Sequence, residues 1–348
     1  MMSKNYIAVP PGATIKEQLN DRGMLQKEFA SRMNLSEKHI SKLINGQAQL
    51  TQDVAYRLEM VLGIPASFWN NLEANYREQI AKVENENAMD KDIEISKKMA
   101  YNEMSKLGWV DRTRKPKERV VNLRKFFEIS RLDLLPEGGY LPIACRKLNE
   151  TSEEDLNLLA WAQKAKLEAR NITVGPVNVA GLERSLNEIR CLTISRNDDF
   201  SKVLQDKLAE FGVALVYLPH LPGSYLHGAT FYDSKKIVVG LTLRGKDADR
   251  FWFSLFHEVG HIVHGHLNKA GGLTEMDERA SDEFARDILI TPEDYESFVE
   301  QEDISYDSVK KFAGRIGIDP GIVVGRLQKE GLLQYNQLND LKTRYSFG

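Results

Sequence analysis

The chain has 348 residues, of which 42% are hydrophobic and 28% charged, and its formal net charge is −3. That balance excludes a disordered chain, and the length allows two or three folded domains. A net charge this small excludes a global basic field, so any nucleic-acid surface must be local. The two cysteines, Cys145 and Cys191, are too few for a disulfide framework or a cysteine-based metal site.

The N-terminal MMSKNYIAVPPGATIKEQ lacks an apolar secretion core, and no run reaches membrane-spanning length. A cytoplasmic protein without a membrane partner is expected. Residues 13–64 then break into short helical pieces. TIKEQLNDRG stops at Gly23, and LQKEFASRMN spaces Phe29, Ala30 and Met33 as one helical face. LSEKHISKLING offers Ser36 as N-cap, an apolar stripe of Ile40, Leu43 and Ile44, and Asn45-Gly46 as terminator. TQDVAYRLEMVLG follows with Thr51 as N-cap.

Two short helices joined by a tight turn suit a helix-turn-helix, whose second helix enters the major groove of double-stranded DNA. That second helix would expose Glu37, Lys38, His39, Ser41 and Lys42. Gln26 and Lys27 would open the preceding helix, where phosphates are commonly met. The stretch from Gly12 to Glu78, with its Pro-x-x-Phe-Trp and Leu-x-x-x-Tyr segments, resembles the Xre-type domain of HigA-like antitoxins. Leu25 departs from that family, which usually has a serine or threonine cap there. The resemblance implies a DNA-binding domain over 1–72 and operator recognition, and paired half-sites imply a homodimer.

Residues 73–100 are polar and read as an exposed connecting helix, and 101–204 as a helical middle region. The basic RTRKPKER stretch from Arg112 to Arg119 reads as a solvated turn, and Trp161 as core. Strand signals appear in VALVYL (213–218), GATFYD (228–233) and KIVVGL (236–241). Lys236–Leu241 is the strand expected to pair with an extended substrate.

The pentapeptide His257-Glu258-Val259-Gly260-His261 lies in a segment of helical periodicity. Histidines four apart share a helix face and can offer nitrogens to one ion, with the intervening glutamate as general base toward a metal-activated water. Downstream, DERASDEFARDILI reads as a second amphipathic helix, with Ala280, Phe284, Ala285 and Ile288 on one side. Glu278 and Asp282 share a face: Glu278 is the expected third ligand, with Glu275, Asp277 and Glu283 as alternatives. Asp282 could take the second N–H of a ligating histidine. His264 and His266 read as helix-end or surface residues, because a fourth protein ligand would close the open position a catalytic zinc keeps. His227, in the loop before the strands, is a candidate for stabilising an oxyanion; Arg244 is undecided. The C-terminal helix-turn-helix pattern, with Asp319 and Pro320 opening an apolar helix, reads as packing.

FWFSLFHEVGHIVHGH followed by ERASDEFARDILITP resembles the ImmA/IrrE-type metallopeptidases over roughly 205–330. That resemblance implies His257, His261 and Glu278 as zinc ligands, Glu258 as catalytic base and Asp282 behind the ligands. Ala280-Ser281 departs slightly, since the family often places alanine at the second position. Zn2+ is the expected metal, and Mn2+ or Fe2+ suit the same donors. The expected architecture is mainly α with a small β-sheet (α+β): an N-terminal helix-turn-helix, a helical middle and a C-terminal zincin-like domain over 205–348. The resemblances together imply a DNA-binding regulator whose peptidase cleaves a regulatory protein such as an Xre-type repressor. The alternative is an antitoxin or repressor whose peptidase-like domain binds a partner, such as a toxin, or senses a signal without significant proteolysis.

Overall fold

The computed structural model describes residues 2, 6–135, 152–195, 200–224, 228–242, 247–269 and 273–345, and the chain divides into two units, 1–94 and 95–348. The first holds α1 (Pro11–Asp21), α2 (Gln26–Arg32), α3 (Glu37–Ile44) and α4 (Gln52–Leu62); a proline opens α1, and side chains cap α3 and α4. Ser36 Oγ accepts from His39 N (3.2 Å) and Thr51 Oγ1 from Val54 N (3.3 Å), as their positions predicted. Leu25 stands at the N-cap of α2 and makes no side-chain bond, so that cap is indeed missing.

Ile15, Phe29, Met33, Ile40, Leu43, Leu58 and Trp69 fill the centre of this unit. The turn between α2 and α3 is braced by Arg57, whose Nη1 donates to the carbonyls of Met33 (3.1 Å) and Asn34 (3.3 Å). α1 and α3 approach so closely that a Cβ on Gly12 would lie 2.1 Å from the carbonyl oxygen of Ile44. α5 (Ala66–Lys98) starts earlier than its polar composition suggested. It is also not simply exposed, because Trp69, Tyr76 and Val83 are buried along it.

The second unit contains α6 (Tyr101–Lys106), α7 (Pro116–Phe127), α8 (Glu153–Ala169), α9 (Val179–Arg184), α10 (Leu186–Cys191) and α11 (Phe200–Ala209). The basic stretch is only partly a turn: Pro116 sits in the first turn of α7, where its missing N–H is not needed, and the helix takes up the rest. Trp161 is fully buried and donates Nε1–H to the carbonyl of Pro219 (3.1 Å).

Strands β1 (Val213–Leu218), β2 (Gly228–Asp233) and β3 (Lys236–Thr242) form a sheet of order β1-β3-β2. β1 runs parallel to β3, with Val213 opposite Ile237, and β2 runs antiparallel, with Thr230 opposite Val239. Lys236–Leu241 is therefore the central strand and cannot accept an added peptide. Both of its edges are used, and β2 lies at a sheet edge instead. None of the three strands alternates in burial along its length; β3 is buried on both faces.

Next come α12 (Ala248–Val263), α13 (Glu275–Leu289), α14 (Pro292–Val299), α15 (Tyr306–Ile316) and α16 (Pro320–Lys329). Asp319 caps α16 through Gly321 N (2.8 Å), and Ile322, Val323, Val324 and Leu327 are buried, so this helix packs as expected. Leu182, Ile189 and Phe200 share one apolar core with Val213, Trp252, Phe256, Ala285 and Val323. A boundary at 204/205 thus does not separate two cores. The final described segment returns to the start of α12: Trp252 Nε1 donates to Tyr345 Oη (2.8 Å), Ala248 N to Thr343 O (2.8 Å), and Lys342 pairs with Asp249 (2.7 Å).

Gly12→Ala is expected to lower stability by about 1–3 kcal/mol through overpacking against Ile44. Urea unfolding followed by tryptophan fluorescence checks this, since Trp69 reports on that core.

Candidate functional site

The apolar face of α12 buries Trp252, Leu255, Phe256, Val259 and Ile262, which turns His257 and His261 toward α13. One turn apart, their Nε2 atoms lie 3.1 Å from each other. α13 begins with a capping box between Thr274 and Asp277, which places Glu278 in its first turn. Glu278 Oε2 lies 3.3 Å from His257 Nε2 and 3.9 Å from His261 Nε2. Donors at about 2.0–2.2 Å from a tetrahedral zinc lie roughly 3.3 Å apart, so the three atoms fit that ion. Among the described residues these are the three groups that converge in this way.

Asp282 Oδ1 lies 2.7 Å from His257 Nδ1, on the edge of the ring away from the cluster. Asp277, an alternative ligand by sequence, is committed to the cap and to Lys269. Glu275 and Glu283 are exposed and outside the cluster.

Glu258 points to another side of α12 and is buried at 6% exposure. Its Oε2 accepts a hydrogen bond from Thr230 Oγ1 on β2 (2.5 Å). Its Oε1 faces Gly228 so closely that a Cβ there would sit 2.6 Å away. Sequence reasoning missed both residues, because neither type nor spacing marks them. Burial pushes Glu258 up to about 7, against the pull of the His257 charge and the Thr230 bond. A divalent cation would draw it down again. Burial opposes the charge on His257, yet Asp282, Glu278 and Glu258 outweigh it and push His257 up to about 10. Burial and the His257 charge lower His261. His257 is thus the more basic of the two imidazoles.

His264 is exposed, as read, but His266 is buried at 6% exposure and is no surface residue. The chain leaves α12 at Gly265, whose positive φ (68°) folds the next turn back under the helix. The buried line of α13 is Asp277, Ser281, Ala285 and Leu289, with Ala280, Phe284 and Ile288 half-buried beside it. Two polar residues occupy the face where apolar ones were expected, because that face meets histidines. His227 and Arg244 lie outside the described residues.

In the first unit, Gln26, Lys27, Glu37, Lys38 and Lys42 are exposed and Ser41 is half-exposed. His39 is only partly accessible, and its Nε2 is enclosed with no hydrogen-bond partner among the described residues. The helix-turn-helix family matches residues 15–69. Over 63 residues the chain is 35% identical to the uncharacterized HTH-type transcriptional regulator YddM of Escherichia coli (strain K12), an alignment covering 18% of this chain and 67% of that relative. This chain belongs to the helix-turn-helix family. α3 is the second helix of the helix-turn-helix pair α2–α3, and Lys38 and Lys42 stand one turn apart on it, both exposed. No helix among the described residues is long and apolar enough to cross a membrane.

Replacing Lys38 and Lys42 together by alanine is expected to weaken DNA binding and to flatten its log–log salt dependence by roughly two. Titrations of a genomic fragment selected by the wild-type chain, at several salt concentrations, check this. Thr230→Val leaves the Glu258 carboxylate buried without its donor, and is expected to cost about 1–3 kcal/mol at pH 8. Urea unfolding at that pH measures it.

Proposed function

We propose that this protein is a DNA-binding transcriptional regulator carrying a zinc-dependent endopeptidase, which cleaves a regulatory protein such as an Xre-type repressor. The observation that carries the reading is the triangle of His257, His261 and Glu278 beside the buried carboxylate of Glu258. Bound zinc would supply a Lewis acid that polarises the scissile carbonyl and acidifies a water. Glu258 takes the proton of the attacking water and returns it to the leaving amine. Thr230 holds one carboxylate oxygen, which limits the rotation of Glu258 between those two tasks.

β2 carries Thr230 and lies at the sheet edge, so an extended substrate paired to it runs past Glu258. Asp282 fixes the His257 ring by accepting from Nδ1–H, which leaves Nε2 free to ligate. A homodimer on paired half-sites is the form in which the helix-turn-helix domain would act. Mn2+ or Fe2+ would be held by the same residues.

A second reading is supported by the name of the relative, a transcriptional regulator. There the larger unit binds a protein partner, such as a toxin, or senses a signal, and turnover is negligible.

Metal analysis of the purified chain separates the two. About one equivalent of zinc, lost in His257→Ala and in Glu278→Ala, is expected. Glu258→Gln is expected to keep that zinc and to abolish cleavage of proteins captured with it, followed by mass spectrometry. Unchanged cleavage by Glu258→Gln would sink the mechanism. A wild-type chain that takes up no zinc when supplied leaves the second reading.

A further inference from the structure

Behind His261 lies a set of buried polar groups that the reaction does not use. His261 and His266 face each other with ring centroids 5.2 Å apart and Nδ1 3.0 Å from Nδ1. His266 Nε2 lies 3.4 Å from Asp277 Oδ1, which also takes the ammonium of Lys269. The other oxygen of Asp277 accepts from Thr274 N (3.0 Å) and Thr274 Oγ1 (2.8 Å), closing the cap of α13. His261, His266 and Asp277 are each at most 6% exposed.

We propose that His266 and Asp277 are positioning residues that hold His261 in the one tautomer able to ligate a metal ion. The inference rests on the metal-binding reading above. The negative charge of Asp277, 3.4 Å from His266 Nε2, favours the proton on that nitrogen, since a lone pair turned toward a carboxylate would be repelled. The other nitrogen of His266, Nδ1, then presents a lone pair. Its neighbour, His261 Nδ1, must donate to that lone pair and so carries the proton of its own ring. That leaves the lone pair of His261 on Nε2, the atom that faces His257 and Glu278. Each imidazole thus transmits the acceptor character of Asp277 one step toward the ion.

His266 is not itself a ligand here, because it meets the edge of His261 opposite the donor cluster. Ser281 Oγ, at 3.2 Å from the same Nδ1, is a second neighbour at longer range, and lacks an acidic group behind it among the contacts described. Asp277 immediately precedes Glu278, so the group that starts α13 next to one ligand also sets the proton on another.

The test uses the full chain. Zinc affinity is measured by competition with a chromogenic chelator for wild type, His266→Leu, His266→Asn, Ser281→Ala and, as control, His261→Ala. Leucine fills the space without an acceptor, and asparagine restores an oxygen near the position of Nδ1. His266→Leu is expected to bind zinc about 10–100-fold more weakly, with the Co2+ absorption bands altered, and His266→Asn to recover most of the loss. Thermal unfolding of the metal-free variants separates this from a general loss of packing.

Wild-type affinity and spectrum in a folded His266→Leu would overturn the proposal, as would a loss confined to Ser281→Ala. The unaltered protein gives an independent check, since long-range 1H–15N spectra of the zinc form must show His266 as the neutral Nε2–H tautomer. The Nδ1–H form would refute the relay whatever the variants do. If wild type takes up no zinc, or His261→Ala takes up as much, the metal-binding reading itself fails.

Discussion

How closely α12 and α13 approach at Gly260 governs the site of the larger unit. A Cβ at that position would lie 3.2 Å from the Phe284 ring and 3.2 Å from Ser281 Cα, so a larger residue would require the two helices or the Phe284 ring to give by a few tenths of an ångström. Two histidines one turn apart come together through helix geometry alone. The third donor arrives from another helix, and the close approach at this glycine helps bring its oxygen within 4 Å of both Nε2 atoms. The same closeness brings Glu278 and Asp282 against the two imidazoles. The carboxylates of Glu278 and Asp282 on either edge of the His257 ring favour positive charge there.

The placement of His257, Glu258, His261 and Glu278 was legible because each rests on local periodicity: i and i+4 on α12, and an acidic first turn on α13. The helix-turn-helix was legible for the same reason, since Ser36 and Thr51 cap their helices from within four residues. What escaped the sequence is what tertiary structure decides. β3 and β2 are similar apolar runs, and nothing in either says which lies at the sheet edge. Thr230 and Gly228 matter only because that edge passes over Glu258. His266 looked like one more polar residue at a helix end. The left-handed turn at Gly265 carries it under α12, and glycine permits that turn without revealing its direction.

His39 shows the limit from the other direction. Residue type and helix position made it a reader of bases, yet its ring is half-covered and one nitrogen is enclosed. Helix spacing tells which residues share a face but not where the rim of that face lies. Lys38 and Lys42, with long flexible stems, stay clear of the rim and keep their charges in water. Reach, as much as polarity, therefore sorts the residues of α3.

The residues from Lys342 to Tyr345 act as a clasp on the first turn of α12. A lysine closes on Asp249, a carbonyl takes the Ala248 amide, and a phenol receives the Trp252 indole. For anyone handling the protein, this makes the stretch beyond Leu341 a poor place to trim, or to splice in an affinity tag or fluorescent reporter. Work there would disturb the anchoring of a helix whose histidines lie two to three turns further on.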